Sequence, residues 1–327
     1  MPQPELDALL AGLAERRPRA IARAVSLIET GGAAAQALLA AVSRDTGRAT
    51  VVGVTGPPGA GKSTLVDRLA RVRRARGDSV GILAVDPTSP FSGGALLGDR
   101  IRMQELYTDR EVFIRSMATR GAMGGLARAT RDAVDLLDAA GFDWILVETV
   151  GVGQDEVDVV RTVDTVLVAT VPGLGDEIQA IKAGIMEIAD VFVLNKSDRP
   201  GADSTLRDLR ALLQMSEHRG WRPPIVQTVA SENRGIEELI AAIESHRVFL
   251  EESGERARRR LQQLRLRVEV LLKERILQAA NRAHALDREV ERGFEQREDP
   301  YTIADRLFEA ATSAVAEAGA QARGEDR

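Results

Sequence analysis

The sequence predicts an α/β fold around a mostly parallel β-sheet, and three observations carry this prediction. Between Thr50 and about Arg247, short apolar runs alternate with stretches of helical periodicity, as expected when helices connect parallel strands. Most of the runs are continuously apolar, which is typical of strands buried on both faces. A glycine-rich motif, Gly56–Ser63, lies between the first run and a helical stretch, which is where a parallel sheet binds ligands. We expect strands at Val51–Thr55, Ser79–Val85, Val112–Ser116, Trp144–Thr149, Thr165–Thr170, Val191–Leu194 and Ile225–Thr228.

Changes in composition divide the chain into three segments. Residues 1–48 are rich in alanine, leucine and arginine, with apolar residues at helical spacing from Ile21 to Ile28, so an N-terminal helical segment is expected. Residues 49–247 hold the alternation of strands and helices, which predicts the main α/β domain. Residues 248–327 are highly charged and helical in pattern.

The C-terminal segment is predicted to form a helical hairpin or arm. From Glu255 to Ala280, leucine and valine recur at a spacing close to that of coiled-coil a and d positions. These positions are Leu261, Leu264, Val268 and Leu271. Asp299-Pro300 then has the pattern of an N-cap followed by proline at the first helical position. The a/d-like positions are too few to establish a coiled coil, so a dimer contact is a hypothesis here.

Composition excludes several classes of function. The chain has 327 residues and a net charge of -5, which argues against a nucleic-acid-binding surface over the whole protein. It has no cysteine, which excludes disulfides, thiolate zinc sites and a cysteine nucleophile. The acidic start, Met1–Asp7, differs from a signal peptide, and no apolar run approaches the ~18–20 residues of a membrane span. We therefore expect a cytoplasmic protein that binds neither nucleic acid nor membrane.

The run Gly56-Pro57-Pro58-Gly59-Ala60-Gly61-Lys62-Ser63 fits the phosphate-binding P-loop. Its glycines let the backbone curl so that successive N–H groups point at the β-phosphate, and the following helix N-terminus adds partial positive charge. Lys62 is expected to reach the β- and γ-phosphates as a catalytic residue. The Ser63 hydroxyl is expected to bind Mg²⁺.

A second nucleotide motif, Asn195-Lys196-Ser197-Asp198, follows the apolar run Val191–Leu194. The Asp198 carboxylate only accepts hydrogen bonds, so it can take two from N1 and N2 of guanine, a pair of donors that adenine lacks. Lys196 can lay its stem along the base. Asparagine and aspartate are common in turns, yet this position in a chain with a P-loop favours GTP over ATP. Val229-Ala230-Ser231, after the last strand, is where the backbone of GTPases meets guanine O6, although its side chains carry little signal.

A third motif, Glu148-Thr149-Val150-Gly151, closes the strand that begins at Trp144. A P-loop GTPase needs an acidic residue here to organise Mg²⁺ and a glycine whose N–H meets the γ-phosphate. We assign these roles to Glu148 and Gly151. The alternative for Glu148 is a strand-end carboxylate that faces solvent.

Two aspartates after the second strand, Asp86 and Asp99, are further candidates for the Mg²⁺ shell or for positioning the attacking water. They lie in Asp86–Pro90 and Gly98-Asp99-Arg100, where proline and glycine predict a loop whose strand exit points towards the nucleotide. An ordinary loop aspartate is the alternative for each.

Together these motifs resemble the methylmalonyl-CoA mutase-associated GTPases of the MeaB/ArgK type. The resemblance covers nearly the whole chain and rests on Gly56–Thr64, Asp86–Pro90, Gly98-Asp99-Arg100, Glu148–Gln154, Val171–Gly184, Asn195–Asp198 and Asp299-Pro300-Tyr301-Thr302. It implies a homodimeric G-protein chaperone that binds GTP or GDP with Mg²⁺, and it includes Thr64 in the nucleotide-binding stretch. Such a protein would bind an adenosylcobalamin-dependent acyl-CoA mutase and gate cofactor delivery, and the release of damaged cofactor, by GTP binding and hydrolysis.

The resemblance also implies that Val171–Lys182 is a mobile segment that couples the partner to the nucleotide site. Lys182 is then expected to be a catalytic residue that stabilises charge on the γ-phosphate or holds acidic partners. A solvated helix lysine is the alternative. Arg100, Arg102 and Arg120 lie in or near the expected mobile loops, and the sequence does not select one as an arginine finger. Slow intrinsic hydrolysis that a partner stimulates is therefore expected.

Two alternative functions fit parts of this pattern. A GTPase that delivers nickel or zinc would need soft or imidazole ligands near its switches, and this chain has no cysteine and no histidine before His218. An ATP-dependent kinase linked to amino-acid transport is disfavoured by Asn195–Asp198 and by the lack of the H-R-D and D-F-G kinase motifs.

Overall fold

A sheet of seven parallel strands organises the fold. The computed structural model describes residues 1–86, 106–118, 125–149, 162–173, 188–215, 220–281 and 285–324. The strands are β1 (Thr50–Thr55), β2 (Val80–Asp86), β3 (Val112–Ala118), β4 (Trp144–Thr149), β5 (Thr165–Thr170), β6 (Val191–Leu194) and β7 (Ile225–Gln227). The helices are α1 (Gln3–Ala14), α2 (Pro18–Thr30), α3 (Gly32–Val42), α4 (Lys62–Ala75), α5 (Gly125–Ala139), α6 (Ala202–Met215), α7 (Ile236–Glu252), α8 (Glu255–Asn281), α9 (Ala285–Gln296) and α10 (Pro300–Gly324). Single 3-10 turns lie at Ser43–Asp45, Leu106–Thr108 and Ala230–Glu232.

The strands lie in the order β3-β2-β4-β1-β5-β6-β7, and each of these pairs is parallel. The predicted α/β class is therefore confirmed. β1 has β4 on one side and β5 on the other, so the glycine-rich motif that follows β1 begins in the middle of the sheet.

The predicted bounds of β4, β5 and β6 equal the observed ones, and those of the other four strands differ by one or two residues. β2 begins at Val80 because the Ser79 N–H donates to the Asp143 carboxylate at 2.8 Å instead of to a strand. β2 and β3 also continue beyond their predicted ends, since Asp86 still pairs with Ala118. The strand prediction followed the apolar residues, whereas the backbone hydrogen bonds of these two strands continue past them.

The two faces of the sheet bury two separate hydrophobic cores. In β4, Ile145 and Val147 face the core that contains α1, α2 and α5, while Leu146 faces the core that contains α4 and α7. All six residues of β4 are buried. This explains why the strands read as continuous apolar runs.

A buried histidine of α7 joins the amino ends of β5 and β6. His246 is fully buried, with Nδ1 2.9 Å from the Thr165 hydroxyl and Nε2 3.2 Å from Asp190 Oδ1. The other Asp190 oxygen accepts the Val166 N–H at 2.9 Å, and the Trp221 indole N–H donates to the Asp190 carbonyl at 2.8 Å. These contacts give His246 a role in holding the sheet at the end opposite to the glycine-rich motif.

The chain divides into two compact units, Met1–Ala257 and Arg258–Arg327. The first unit includes the N-terminal helices together with the sheet, and the boundary lies within α8. The predicted boundary after residue 247 falls inside α7. The division into three segments stays a prediction.

The second unit contains the hairpin of α9 and α10. Asp299 is the N-cap of α10 as predicted, because its Oδ1 accepts the N–H groups of Tyr301 at 3.0 Å and Thr302 at 3.1 Å. A hydrogen bond from the Thr302 hydroxyl, with these backbone N–H groups, holds the pKa of Asp299 below its ordinary value. The predicted a/d-like residues Leu261 and Leu264 of α8 are exposed in the single chain. No helix in the described ranges is both long and apolar enough to cross a membrane.

Candidate functional site

The carboxyl ends of the central strands bring the predicted motifs to one edge of the sheet. Val54 of β1 pairs with Glu148 of β4, and Thr170 of β5 pairs with Leu194 of β6. The P-loop, Glu148 and Asn195 therefore lie together at the edge where parallel sheets bind ligands.

Two P-loop glycines are required by close approaches of the backbone. At Gly56 (φ 139°) a Cβ would lie 2.1 Å from the Ala169 carbonyl oxygen, and at Gly61 (φ 86°) it would lie 2.4 Å from the Asn195 amide nitrogen. Gly59 also has a positive φ of 78°, but a Cβ there would have no atom within 4 Å. The loop therefore packs tightly against β5 at Gly56 and against Asn195 at Gly61, whereas no neighbouring atom borders the Cβ position of Gly59.

Lys62 places a positive charge inside the curl of the P-loop. The side chain is buried, and its ammonium group donates to the carbonyl oxygens of Gly56 at 2.7 Å and Pro57 at 3.1 Å. Lys62 is also the first residue of α4, so the partial positive charge of the helix N-terminus points the same way. This arrangement suits the phosphate groups that the sequence predicts here.

The two predicted Mg²⁺ ligands that the structure describes lie in contact. The Ser63 hydroxyl donates to Glu148 Oε1 at 2.5 Å, and Glu148 is only 3% exposed. Glu148 is therefore not the solvent-facing carboxylate of the alternative interpretation. Mg²⁺ prefers hard oxygen ligands of this kind, so these two residues fit the predicted ion.

Asn195 connects the P-loop to the segment after β7. Its amide N–H donates to the Ala60 carbonyl at 2.8 Å. Its Oδ1 accepts the Thr228 hydroxyl at 3.0 Å and the Ala230 N–H at 3.1 Å. The side chain is buried, so its hydrogen-bonding groups are directed at protein rather than at solvent.

Lys196 and Asp198 complete the second motif in different ways. Lys196 adopts a left-handed backbone (φ 54°), and its ammonium group donates to the Gly59 carbonyl at 2.7 Å. Asp198 is exposed and makes no hydrogen bond or ion pair within the described ranges. An exposed carboxylate in this position can accept hydrogen bonds from an incoming ligand.

The predicted segment Val229-Ala230-Ser231 contacts Asn195 through the Ala230 N–H. Val229 and Ala230 are buried, whereas Ser231 is exposed and its carbonyl accepts a hydrogen bond from Arg68 at 3.4 Å. Thr228 was missed by sequence reasoning. In addition to its bond to Asn195, its carbonyl accepts both the N–H and the hydroxyl of Ser197 at 3.1 Å. Only its position directly after a strand could have indicated it.

Several predicted site residues fall outside what the structure describes. The backbone of Asp86 ends β2, next to β4, but its side chain is not among the described groups. The other such residues are Asp99, Arg100, Arg102, Arg120, Gly151 and Lys182. Their roles stay predictions. Across the described part of the chain, no three histidine, aspartate or glutamate side chains form a cluster that could hold a metal ion.

The chain is similar to known proteins over most of its length. The family model for "Methylmalonyl Co-A mutase-associated GTPase MeaB" matches residues 21–285. A putative GTPase of Pyrococcus abyssi is 49% identical over 310 residues, covering 93% of this chain and 96% of the relative.

Two further relatives share most of the chain. The methylmalonic aciduria type A homolog of mouse mitochondria is 36% identical over 294 residues, covering 84% of this chain and 70% of the relative. A crystal structure described as a LAO/AO transport system kinase is 28% identical and has a TM-score of 0.72, covering 94% of this chain and 98% of that one.

Proposed function

Because the chain belongs to the family of methylmalonyl-CoA mutase-associated GTPases of the MeaB type, we propose that it is a GTP-gated chaperone of an adenosylcobalamin-dependent acyl-CoA mutase. In this role it binds GTP with Mg²⁺, hydrolyses it slowly to GDP, and does so faster with the mutase bound. The nucleotide state then controls loading of the cobalamin cofactor and release of damaged cofactor. A homodimer formed through α8 to α10 is part of the proposal.

The observation that carries the proposal is the link between phosphate and base elements through Asn195. A protein that only consumes nucleotide needs a phosphate cradle, whereas a switch needs the ligand to set the arrangement of several segments. Asn195 contacts Ala60 in the P-loop and Thr228 and Ala230 after β7. Nucleotide bound here would therefore contact two segments that Asn195 joins, so that a change at one can reach the other.

In the proposed mechanism, the residues of this chain position and neutralise the triphosphate. The P-loop N–H groups and Lys62 hold the β- and γ-phosphates, and Asp198 accepts the guanine N–H groups. Ser63 and Glu148 would hold Mg²⁺, which supplies positive charge to the phosphate oxygens when bound. The γ-phosphoryl group passes to water, and the rate comes from positioning and electrostatics. Asp86, Asp99 and Lys182 are the proposed groups for orienting water and stabilising charge.

The experiment that tests the proposal is GTP hydrolysis with and without an adenosylcobalamin-dependent mutase. We expect complex formation at micromolar concentration and a rate increase of about tenfold or more, which corresponds to roughly 1.4 kcal/mol of barrier lowering. Identical rates together with no complex would refute the chaperone role while leaving the GTPase assignment intact.

Lys62→Ala is the variant that should lose nucleotide binding in this experiment. It removes the ammonium group from the P-loop, so we expect loss of tight GTP binding with an unchanged circular dichroism spectrum. Arg44→Ala, which also removes one positive charge and lies in the exposed turn after α3, is the matched control and should bind GTP normally. Tighter binding of ATP than of GTP by the unmodified protein would instead support the kinase alternative, and a tight nickel or zinc complex would support the metal-delivery alternative.

A further inference from the structure

The outer edge of the sheet at β7 has backbone groups that no described strand pairs. β7 is last in the strand order and pairs with β6. Phe192 of β6 donates its N–H to the Pro224 carbonyl at 2.9 Å. Parallel ladders use alternate residues of a strand, so the backbone groups of Ile225 and Gln227 point away from β6. The Gln227 carbonyl lies against Gly235, where a Cβ would be 2.2 Å from it, so the outward groups that this contact leaves uncovered are the N–H and C=O of Ile225 and the N–H of Gln227. Open edges of this kind are templates for another strand.

A groove flanks this edge in two parts, one beside α6 and one beside α7, and Ile225 lines both. One part has a volume of about 420 Å³, and the other has a volume of about 190 Å³. The larger part is lined by Ser197, Ile225, Gln227, Val229, Arg234 and Glu238, among others. The smaller part is lined by Arg210, Leu213, Arg222, Pro223 and Ile225. The edge strand is therefore bordered by space that side chains of an added strand can fill.

The smaller part of the groove is positively charged. Arg210 and Arg222 are both exposed, and within the described ranges neither forms an ion pair. In the larger part, Arg234 pairs with Glu232 at 2.8 Å, and Glu238 adds one negative charge. Carboxylates of a bound segment would thus find guanidinium partners beside Ile225, where Arg–carboxylate pairs can be bidentate.

We propose that this β7 edge groove binds an extended, acidic segment of a partner protein, which adds to β7 as a further strand. The N–H and C=O of Ile225 and the N–H of Gln227 supply main-chain hydrogen bonds, the groove receives alternate side chains, and Arg210 and Arg222 select for acidic side chains. This surface goes beyond the proposed function, because it requires neither a mutase nor GTP hydrolysis.

The groove also reaches the segments beside the candidate nucleotide site. Its lining includes Ser197, which lies between Lys196 and Asp198, and Val229, which lies between Thr228 and Ala230. A segment bound at β7 would therefore lie beside Ser197 and Val229, which belong to the two stretches that are predicted to meet the base.

Fluorescence anisotropy of a labelled peptide tests the proposal. The probe is an extended peptide of about ten residues that alternates glutamate with threonine, a length typical of a long strand. We expect saturable binding below about 1 mM that weakens as salt is raised. A lysine–threonine peptide should not bind. N-methylation at every second residue removes the main-chain donors from one edge of the peptide. Of two N-methylated forms of the acidic peptide, one methylated at every threonine and the other at every glutamate, at least one should therefore bind at least about tenfold more weakly.

Charge-reversal variants locate the site. Arg210→Glu with Arg222→Glu should weaken binding of the acidic peptide at least about tenfold. Arg19→Glu with Arg44→Glu, which makes the same charge change on exposed α2 and the turn after α3, should leave it unchanged. Normal GTP binding by both double variants verifies folding. No saturable binding, undiminished binding of both N-methylated peptides, or equal loss in both double variants would overturn the proposal.

Discussion

Asn195 and Asp198 share one short motif but differ in what their side chains contact. Asn195 is buried, and its amide joins Ala60 to Thr228 and Ala230. Asp198 is exposed, and its carboxylate has no partner within the described ranges. At the scale of the residue, the contacts therefore favour a positioning role for Asn195 and a ligand-binding role for Asp198.

Asp198→Asn is expected to reduce the preference for GTP over ATP by roughly 2–4 kcal/mol, because a charge-assisted pair of hydrogen bonds becomes a neutral, half-mismatched one. The free energy of unfolding should not change, since Asp198 is exposed. Competition binding with GTP and ATP and urea denaturation measure the two quantities. Full discrimination by the variant would mean that the base is recognised elsewhere.

Asn195→Ala is the contrasting variant. It leaves the buried Ala60 carbonyl and Thr228 hydroxyl without this partner, so the free energy of unfolding should fall by about 1–3 kcal/mol. GTP and ATP binding should weaken together, because the variant disturbs the P-loop rather than base selection. Loss of guanine preference alone would contradict a positioning role.

Asp143 gives a pH dependence of stability. Partial desolvation of its carboxylate opposes ionisation, but hydrogen bonds from the Ser79 N–H at 2.8 Å and hydroxyl at 2.7 Å outweigh this effect and hold the pKa of Asp143 below its ordinary value. A lowered folded pKa stabilises the fold above the unfolded pKa of about 3.9, and this stabilisation is lost as the pH falls through the folded pKa.

Asp143→Asn should therefore cost at most about 1 kcal/mol of unfolding free energy at neutral pH, since water screens this exposed side chain. The difference from the unmodified protein should shrink as the pH is lowered through the acid range. Urea denaturation at several pH values measures it, with Asp45→Asn as a surface control. A difference that grows towards low pH would contradict the assigned sign.

At the scale of the element, two glycines of the P-loop provide a matched pair of variants. Gly59→Ala and Gly61→Ala both place alanine at a positive φ, which costs about 1–2 kcal/mol. Only the Cβ at residue 61 would also collide with the Asn195 amide, at 2.4 Å. We expect Gly61→Ala to weaken GTP binding at least about tenfold more than Gly59→Ala in calorimetric titration. Equal effects would mean that loop conformation alone decides binding.

Strands, loops and caps could be predicted from the sequence where a local pattern of residues determines their position. β4 and β5 have the predicted bounds because all their residues are buried, and apolar runs record that directly. The P-loop and the Asp299 cap have similarly local signals. The bridging role of Asn195 could not be predicted, because it depends on the approach of Gly61 and Thr228, which are distant in sequence. The exposure of Leu261 and Leu264 likewise depends on what surrounds α8.

At the scale of the whole molecule, ligand binding should act on the two units differently. The P-loop, Glu148 and Asn195 all lie in Met1–Ala257. GDP with Mg²⁺ at a hundredfold excess over its dissociation constant should stabilise that unit by about 2.7 kcal/mol. Hydrogen exchange of β1, β5 and β6 should slow accordingly, while exchange in α10 should not change. Equal protection of both units would contradict the assignment of the site to the first one.

The short distance between Asn195 and Gly61 has a consequence for ligands smaller than a nucleotide. Guanosine alone and pyrophosphate alone would each contact one half of a site whose halves the Asn195 amide already joins. The intact nucleotide loses its translational and rotational freedom once, whereas the two fragments lose it twice. The product of the two fragment affinities is therefore expected to understate the affinity of the whole nucleotide, and the excess measures how well the joined halves are spaced for it.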